Sequence, residues 1–193
     1  MTSTEAPRTS PSTRPITDVP DLAAKAAEFL RLSNEKFALT PQEATAIASL
    51  MRLVIYPAGA TLFQAGDASN SGYMLLLLEG DVSVDTGNAG GSTKVDISVI
   101  GPGALMGELA LLDGAPRSAT CTAVSPVIAA GLSAGGLQRL IELHPQIAVK
   151  LVIYIAQSAS DRLRSLSEQL QMYDQITASM QQEINQLRAA AQR

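Results

Sequence analysis

Polar residues dominate the first stretch of the chain. Met1 to Pro20 is rich in Ser, Thr and Pro and holds few apolar side chains. Such a segment buries too little surface to offset its ordering entropy, so residues 1–20 read as a disordered tail. Apolar residues then recur at helical spacing. Asp21 stands as the N-cap of a helix to about Leu32, with Leu22, Ala26, Phe29, Leu30 and Leu32 on one side. Thr40-Pro41-Gln42-Glu43 reads as a second helix start: a capping residue, Pro at the first helical position and an acid at the third. That helix runs to about Met51.

From Leu53 the period shortens. Leu53–Tyr56, Thr61–Phe63, Tyr73–Leu78 and Val82–Val84 are short apolar runs, each closed by a Gly-containing turn or loop. A Gly-rich loop at 87–91 precedes an alternation in which Val95, Ile97 and Val99 share one face. The loop lacks the Lys-Ser/Thr ending of a phosphate loop and reads as a hairpin connection. Ala119–Val124 and Val127–Gly131 continue the series. Many short strands at this spacing predict an α+β, mainly β domain of jelly-roll or barrel type, flanked by helices, over residues 21–144.

A short helix at about Ala134 to Leu143 stops at His144-Pro145, since the residue before Pro avoids the helical region. No further Pro and no Gly occur from Pro145 to Ala190. The latter part of this stretch has heptad order. With Leu163 at position a, the a series is Leu163, Leu170, Thr177, Ile184 and Ala191; the d series is Leu166, Tyr173, Met180 and Leu187. Residues 145–193 therefore read as a long helix ending in a coiled coil. Thr177 would fix its register, and Glu183 and Arg188 could pair between parallel chains. A homodimer is the expected assembly.

Composition narrows the function. The formal charge is -4, Trp is absent and aromatics are few. That argues against a broad basic nucleic-acid surface or a base-stacking platform. Residues after Leu163 balance Arg164, Arg188 and Arg193 against Glu168, Asp174 and Glu183, which leaves no basic recognition helix. The single cysteine, Cys121, fits a reducing compartment and reads as a small buried apolar residue. With one histidine, His144, neither a metal centre nor a nucleophile–base–acid set can be assembled. No secretory leader or membrane span is visible, so the chain reads as cytoplasmic, with no nucleic-acid or membrane partner.

The candidate chemistry lies in Met106-Gly107-Glu108-Leu109-Ala110-Leu111-Leu112-Asp113-Gly114-Ala115-Pro116-Arg117-Ser118-Ala119-Thr120. Glu108 to Leu112 are good helix formers, and Asp113-Gly114-Ala115-Pro116 ends them as a turn. Amides at the start of such a turn lack helical partners and favour an anion. Arg117 returns with a planar cationic fork suited to phosphate oxygens. Glu108 only accepts hydrogen bonds and would suit a sugar hydroxyl. The three together describe a pocket for a phosphorylated ribose.

This stretch resembles the phosphate-binding cassette of the cyclic nucleotide-binding domain family, in the branch of catabolite activator protein-like sensors and cyclic-AMP-dependent kinase regulatory subunits. Only the family's opening aromatic is missing, replaced by Met106. The resemblance implies an eight-stranded β-roll over about Thr40 to Arg162. It implies ligand contacts from Gly107, Glu108, Leu109, Ala110, Arg117, Ser118 and Ala119, with the base near Arg162 and Leu163. Ser118 leans towards cyclic AMP, with cyclic GMP as the alternative ligand; no other cofactor is implied. The chain departs from the family's transcription factors in lacking a helix-turn-helix. The expected function is a stand-alone, non-enzymatic sensor that signals through its C-terminal helix to a protein partner. A scaffold with a vestigial site and a cyclic di-GMP receptor are the alternatives.

Overall fold

The computed structural model describes residues 13–32, 38–69, 72–86 and 97–191. They form two compact units, residues 1–154 and residues 155–193. The first unit contains, in order, β1 (Thr13–Pro15), α1 (Pro20–Leu32), α2 (Pro41–Ser49), β2 (Arg52–Tyr56), β3 (Thr61–Phe63), β4 (Tyr73–Glu79), β5 (Val82–Asp85), β6 (Ile97–Ile100), β7 (Leu105–Met106), α3 (Glu108–Asp113), β8 (Thr120–Ala123), β9 (Val127–Ser133) and α4 (Ala134–Leu143). A final helix, α5 (Pro145–Ala191), begins in the first unit and makes up the second.

The described strands build two antiparallel sheets, in the orders β1-β2-β9-β4-β7 and β3-β8-β5-β6. Their inner faces share one core: Val54, Tyr56, Leu75, Leu77 and Val127 from the first sheet meet Leu62, Phe63, Val82 and Val84 from the second. This is the mainly β roll with flanking helices that the strand pattern predicts. Successive side chains of a strand point to opposite faces, so Met74, Leu76, Leu78 and Leu132 lie on the other side of the first sheet, and they are fully buried too. β4 therefore reads as an unbroken apolar run, as a strand covered on both faces must.

Several expectations need correction. The tail is not disordered through Pro20. Thr13–Pro15 adds an edge strand to β2, with Arg14 opposite Leu53, and Ile16 is fully buried. One buried isoleucine, the Ile16 N–H donating to Met51 O at 3.2 Å and Arg52 Nη2 donating to Thr13 O at 2.9 Å anchor a segment whose composition alone suggests none of this. This strand is the addition to the eight-stranded plan. Residues 1–12 lie outside the described residues. α1 begins at Pro20, which puts Asp21 in the first turn rather than at the cap, and Leu32 is exposed.

In β6 the alternation holds but Val99 points outward. Val99 sits opposite Ser83, while Ile100 sits opposite the buried Val82 and packs on the core. The 87–91 loop and Val95 lie outside the described residues. α5 does start at Pro145, but the compact boundary falls ten residues later, because Ala148, Leu151 and Tyr154 are buried within the first unit.

The local signal at the start of α2 holds in full. Thr40 caps α2: the Glu43 N–H donates to Thr40 Oγ1 at 3.3 Å, and the Thr40 N–H donates to Glu43 Oε2 at 2.8 Å. Glu43 also accepts from Lys150 Nζ at 2.7 and 2.8 Å, tying the start of α5 to α2. In the second unit, α5 leaves Leu163, Leu166, Leu170, Tyr173, Met180 and Ile184 exposed, all on the a and d positions of the heptad.

Candidate functional site

The site is built around α3. Gly107 precedes it at φ 73° and Gly114 ends it at φ 68°, both in the left-handed region that other residues avoid. The Gly114 N–H donates to Ala110 O at 3.0 Å, and the Ala115 N–H donates to Asp113 Oδ1 at 2.9 Å, which closes the turn. The Leu111 N–H donates to Gly107 O at 3.3 Å. The amides of Leu109 and Ala110 come before it, where the helix offers no carbonyl four residues back.

Among the described residues the buried charged ones are Glu108, 2 % exposed, and Arg117, 4 % exposed. They stand at opposite ends of the same short segment. Arg117 Nη1 donates to Gly107 O at 2.9 Å and Nη2 donates to Tyr73 O at 2.8 Å. Its guanidinium carbon lies 3.9 Å from the ring centroid of Phe63 and 4.8 Å from that of Tyr73. Burial pulls the guanidinium pKa below its ordinary value; the neighbouring Tyr73, Cys121, Asp67 and Glu108 oppose that shift.

The backbone around Arg117 is fixed as well. The Gly66 N–H donates to Arg117 O at 2.8 Å, and the Arg117 N–H donates to Asp67 O at 3.0 Å. The β3–β4 connection thus grips this residue from both sides. The Ala65 N–H donates to Thr120 Oγ1 at 3.1 Å and continues the grip into β8.

Gly107, Glu108, Leu109, Ala110, Arg117, Ser118 and Ala119 are therefore brought together. Leu109 and Ser118 are exposed, Ala110 is buried, and Ala119 packs on the core. Met106, which replaces the expected aromatic, is buried in that core. Arg162 and Leu163 lie on α5 in the second unit and are both exposed. Sequence reasoning missed Phe63, Tyr73 and the connection at 64–67. The one local hint is Gly107: a Cβ there would clash with Arg117 Nη1 and come within 2.9 Å of Phe63 Cζ. Cys121 is buried, as its strand neighbours suggest. No cluster of metal-ligating side chains occurs among the described residues, and no helix there is long and apolar enough to cross a membrane.

Comparison with known proteins points the same way. Residues 53–144 match the family model described as the cyclic nucleotide-binding domain. A cyclic nucleotide-gated potassium channel of Mesorhizobium japonicum is 36% identical over 110 residues, which cover 57% of this chain and 28% of the channel. The chain thus spans a little over a quarter of that relative's length. Solved structures share the fold, two of them as follows. One is a cyclic nucleotide-binding domain from Methylobacillus flagellatus, with 27% identity, coverage of 75% of this chain and 80% of the other, and a TM-score of 0.68. The other is the N-terminal domain of a transcriptional regulator from Streptomyces coelicolor, with 31% identity, coverage of 69% and 94%, and a TM-score of 0.59.

Proposed function

The chain belongs to the cyclic nucleotide-binding domain family, carrying its module over residues 53–144, and from this premise we propose that it is a non-enzymatic sensor of a cyclic nucleotide. Cyclic AMP is the expected ligand, and cyclic GMP the alternative. The observation that carries the reading is the buried pair at α3. A carboxylate and a guanidinium cost free energy to bury, and a fold keeps them there when their chemistry is used. The ligand's ribose hydroxyl donates to Glu108. Its phosphate takes hydrogen bonds from Arg117, Ser118 and the amides of Leu109 and Ala110. A guanidinium presents its N–H donors in a planar fork that matches phosphate oxygens.

The output runs through α5. Its exposed a and d side chains support a homodimer, and a protein partner reads the helix. A ligand that contacts two arrangements of the sensor unequally shifts their populations, which is how binding becomes a signal. Replacing Arg162 and Leu163 with Ala tests whether base selectivity draws on α5, through the ratio of cyclic AMP to cyclic GMP affinity.

A thermal-shift panel with cyclic AMP, cyclic GMP and cyclic di-GMP tests the reading. Binding to the native state raises the melting temperature, by an amount set by ligand concentration over Kd. A rise with a cyclic mononucleotide is expected. A rise with cyclic di-GMP alone would make the chain a receptor for that dinucleotide. A folded chain that responds to none would instead be a scaffold with a vestigial site.

A further inference from the structure

The chain has 3 Phe, 4 Tyr and no Trp, yet it brings two rings onto one side chain and a third behind them. Phe63, at the end of β3, and Tyr73, at the start of β4, lie on the Arg117 guanidinium with their own centroids 5.4 Å apart. Tyr56, from β2, is buried in the core against which Tyr73 packs; burial first, and then the neighbouring Tyr73, raise its phenol pKa. The guanidinium thus sits between the two sheets, gripped by strands of both. Its planar, weakly hydrated fork suits aromatic faces, and such contacts strengthen when water is excluded. The bonds to Gly107 O and Tyr73 O then set its direction in the plane.

We propose that Phe63 and Tyr73 are positioning residues for the ligand's phosphate: their rings hold the Arg117 guanidinium beside the first turn of α3, so affinity depends on aromatic faces that do not touch the nucleotide. The inference rests on the sensor reading above. An arginine ordered before binding does not have to be ordered by the ligand, and that saving appears as affinity. Gly107 belongs to the same device, since a side chain there would push both Arg117 Nη1 and the Phe63 ring aside.

The test is calorimetric titration of the full chain with cyclic AMP. Phe63→Leu is expected to weaken binding about tenfold, the size of a desolvated cation–π contact. Phe63→Tyr, which restores an aromatic face, returns the Kd to within about threefold of wild type on the same grounds. Tyr73→Leu keeps the carbonyl that accepts from Nη2 and loses only the ring; its effect is smaller because that ring is farther away. Leu132→Ala removes core volume from the opposite face of the first sheet, so it lowers the melting temperature without moving the Kd.

An unchanged Kd in Phe63→Leu overturns the proposal. So does a loss that Phe63→Tyr fails to rescue or that Leu132→Ala reproduces, since either marks a general structural effect. If Phe63→Leu does not fold, Tyr73→Leu carries the same decision. Absence of binding in the wild type overturns the sensor reading itself, and is told apart from failure of this inference by that fact.

Discussion

Between Glu108 and Arg117 the chain places charge where water is scarce; between Leu163 and Ile184 it places apolar side chains where water is abundant. Both reverse the usual sorting. In the first region the chain itself supplies compensation: carbonyls, aromatic faces and neighbouring carboxylates surround the guanidinium. In the second, Leu163 and Leu170 are each 65% exposed, and among the described residues of that unit the helix itself covers neither. A buried charge marks a place where a small polar ligand is read. The exposed apolar stripe with its heptad repeat is what supports the proposed homodimer.

The strongest way to break this contrast is Arg117→Ala. It removes the charge-assisted hydrogen bonds proposed to the ligand's phosphate, each about 1.5–3 kcal/mol, and leaves the Gly107 and Tyr73 carbonyls unmatched. Titration calorimetry should then show cyclic AMP affinity reduced at least about a hundredfold. The melting temperature should fall too, because the same side chain fastens Gly107 to Tyr73. Next in size is Leu170→Glu. Charge at an a position of a paired helix costs about 3 kcal/mol or more per seam. Light scattering should show monomers, while the first unit stays folded because Leu170 lies in the other unit. A dimer of unchanged strength would remove the stripe from the account.

Glu108→Gln sharpens the polar half. It keeps the shape and an acceptor but loses the charge, so affinity should fall about tenfold, the difference between an ionic and a neutral hydrogen bond. The smallest effect belongs to Glu43. Lys150, and then the Thr40 N–H, hold its carboxyl below the ordinary carboxylate value. A carboxylate with a lowered folded-state pKa stabilises the fold above its unfolded value of about 4.5, and that stability is lost as pH falls through the folded value. Lys150→Met should therefore flatten the acid side of a melting-temperature profile, by less than about 1 kcal/mol for a partly exposed pair.

What was legible in the sequence follows from distance along the chain. The local geometry of the cassette was legible because Glu108, Gly114 and Arg117 lie within one short segment, where spacing constrains geometry. The Thr40–Glu43 capping box was legible for the same reason. Phe63 and Tyr73 were not: Tyr73 is 44 residues from Arg117, and only sheet register brings them together. Val99 shows the limit of periodicity, which gives two faces but not which one is buried until Ser83 is known to lie opposite. Thr13–Pro15 shows the limit of composition, since a polar edge strand is held by backbone pairing and one buried isoleucine.

The central claim is that the cradle between Glu108 and Arg117 holds a cyclic phosphodiester. Isothermal titration of the full chain with cyclic AMP and cyclic GMP, beside Arg117→Ala and Glu108→Gln, tests it most directly. The account predicts saturable heat at one ligand per chain in the wild type, weakened in Glu108→Gln and lost in an Arg117→Ala chain that still melts cooperatively. Equal heat from wild type and Arg117→Ala, or no heat from a folded wild type with either nucleotide, would contradict it.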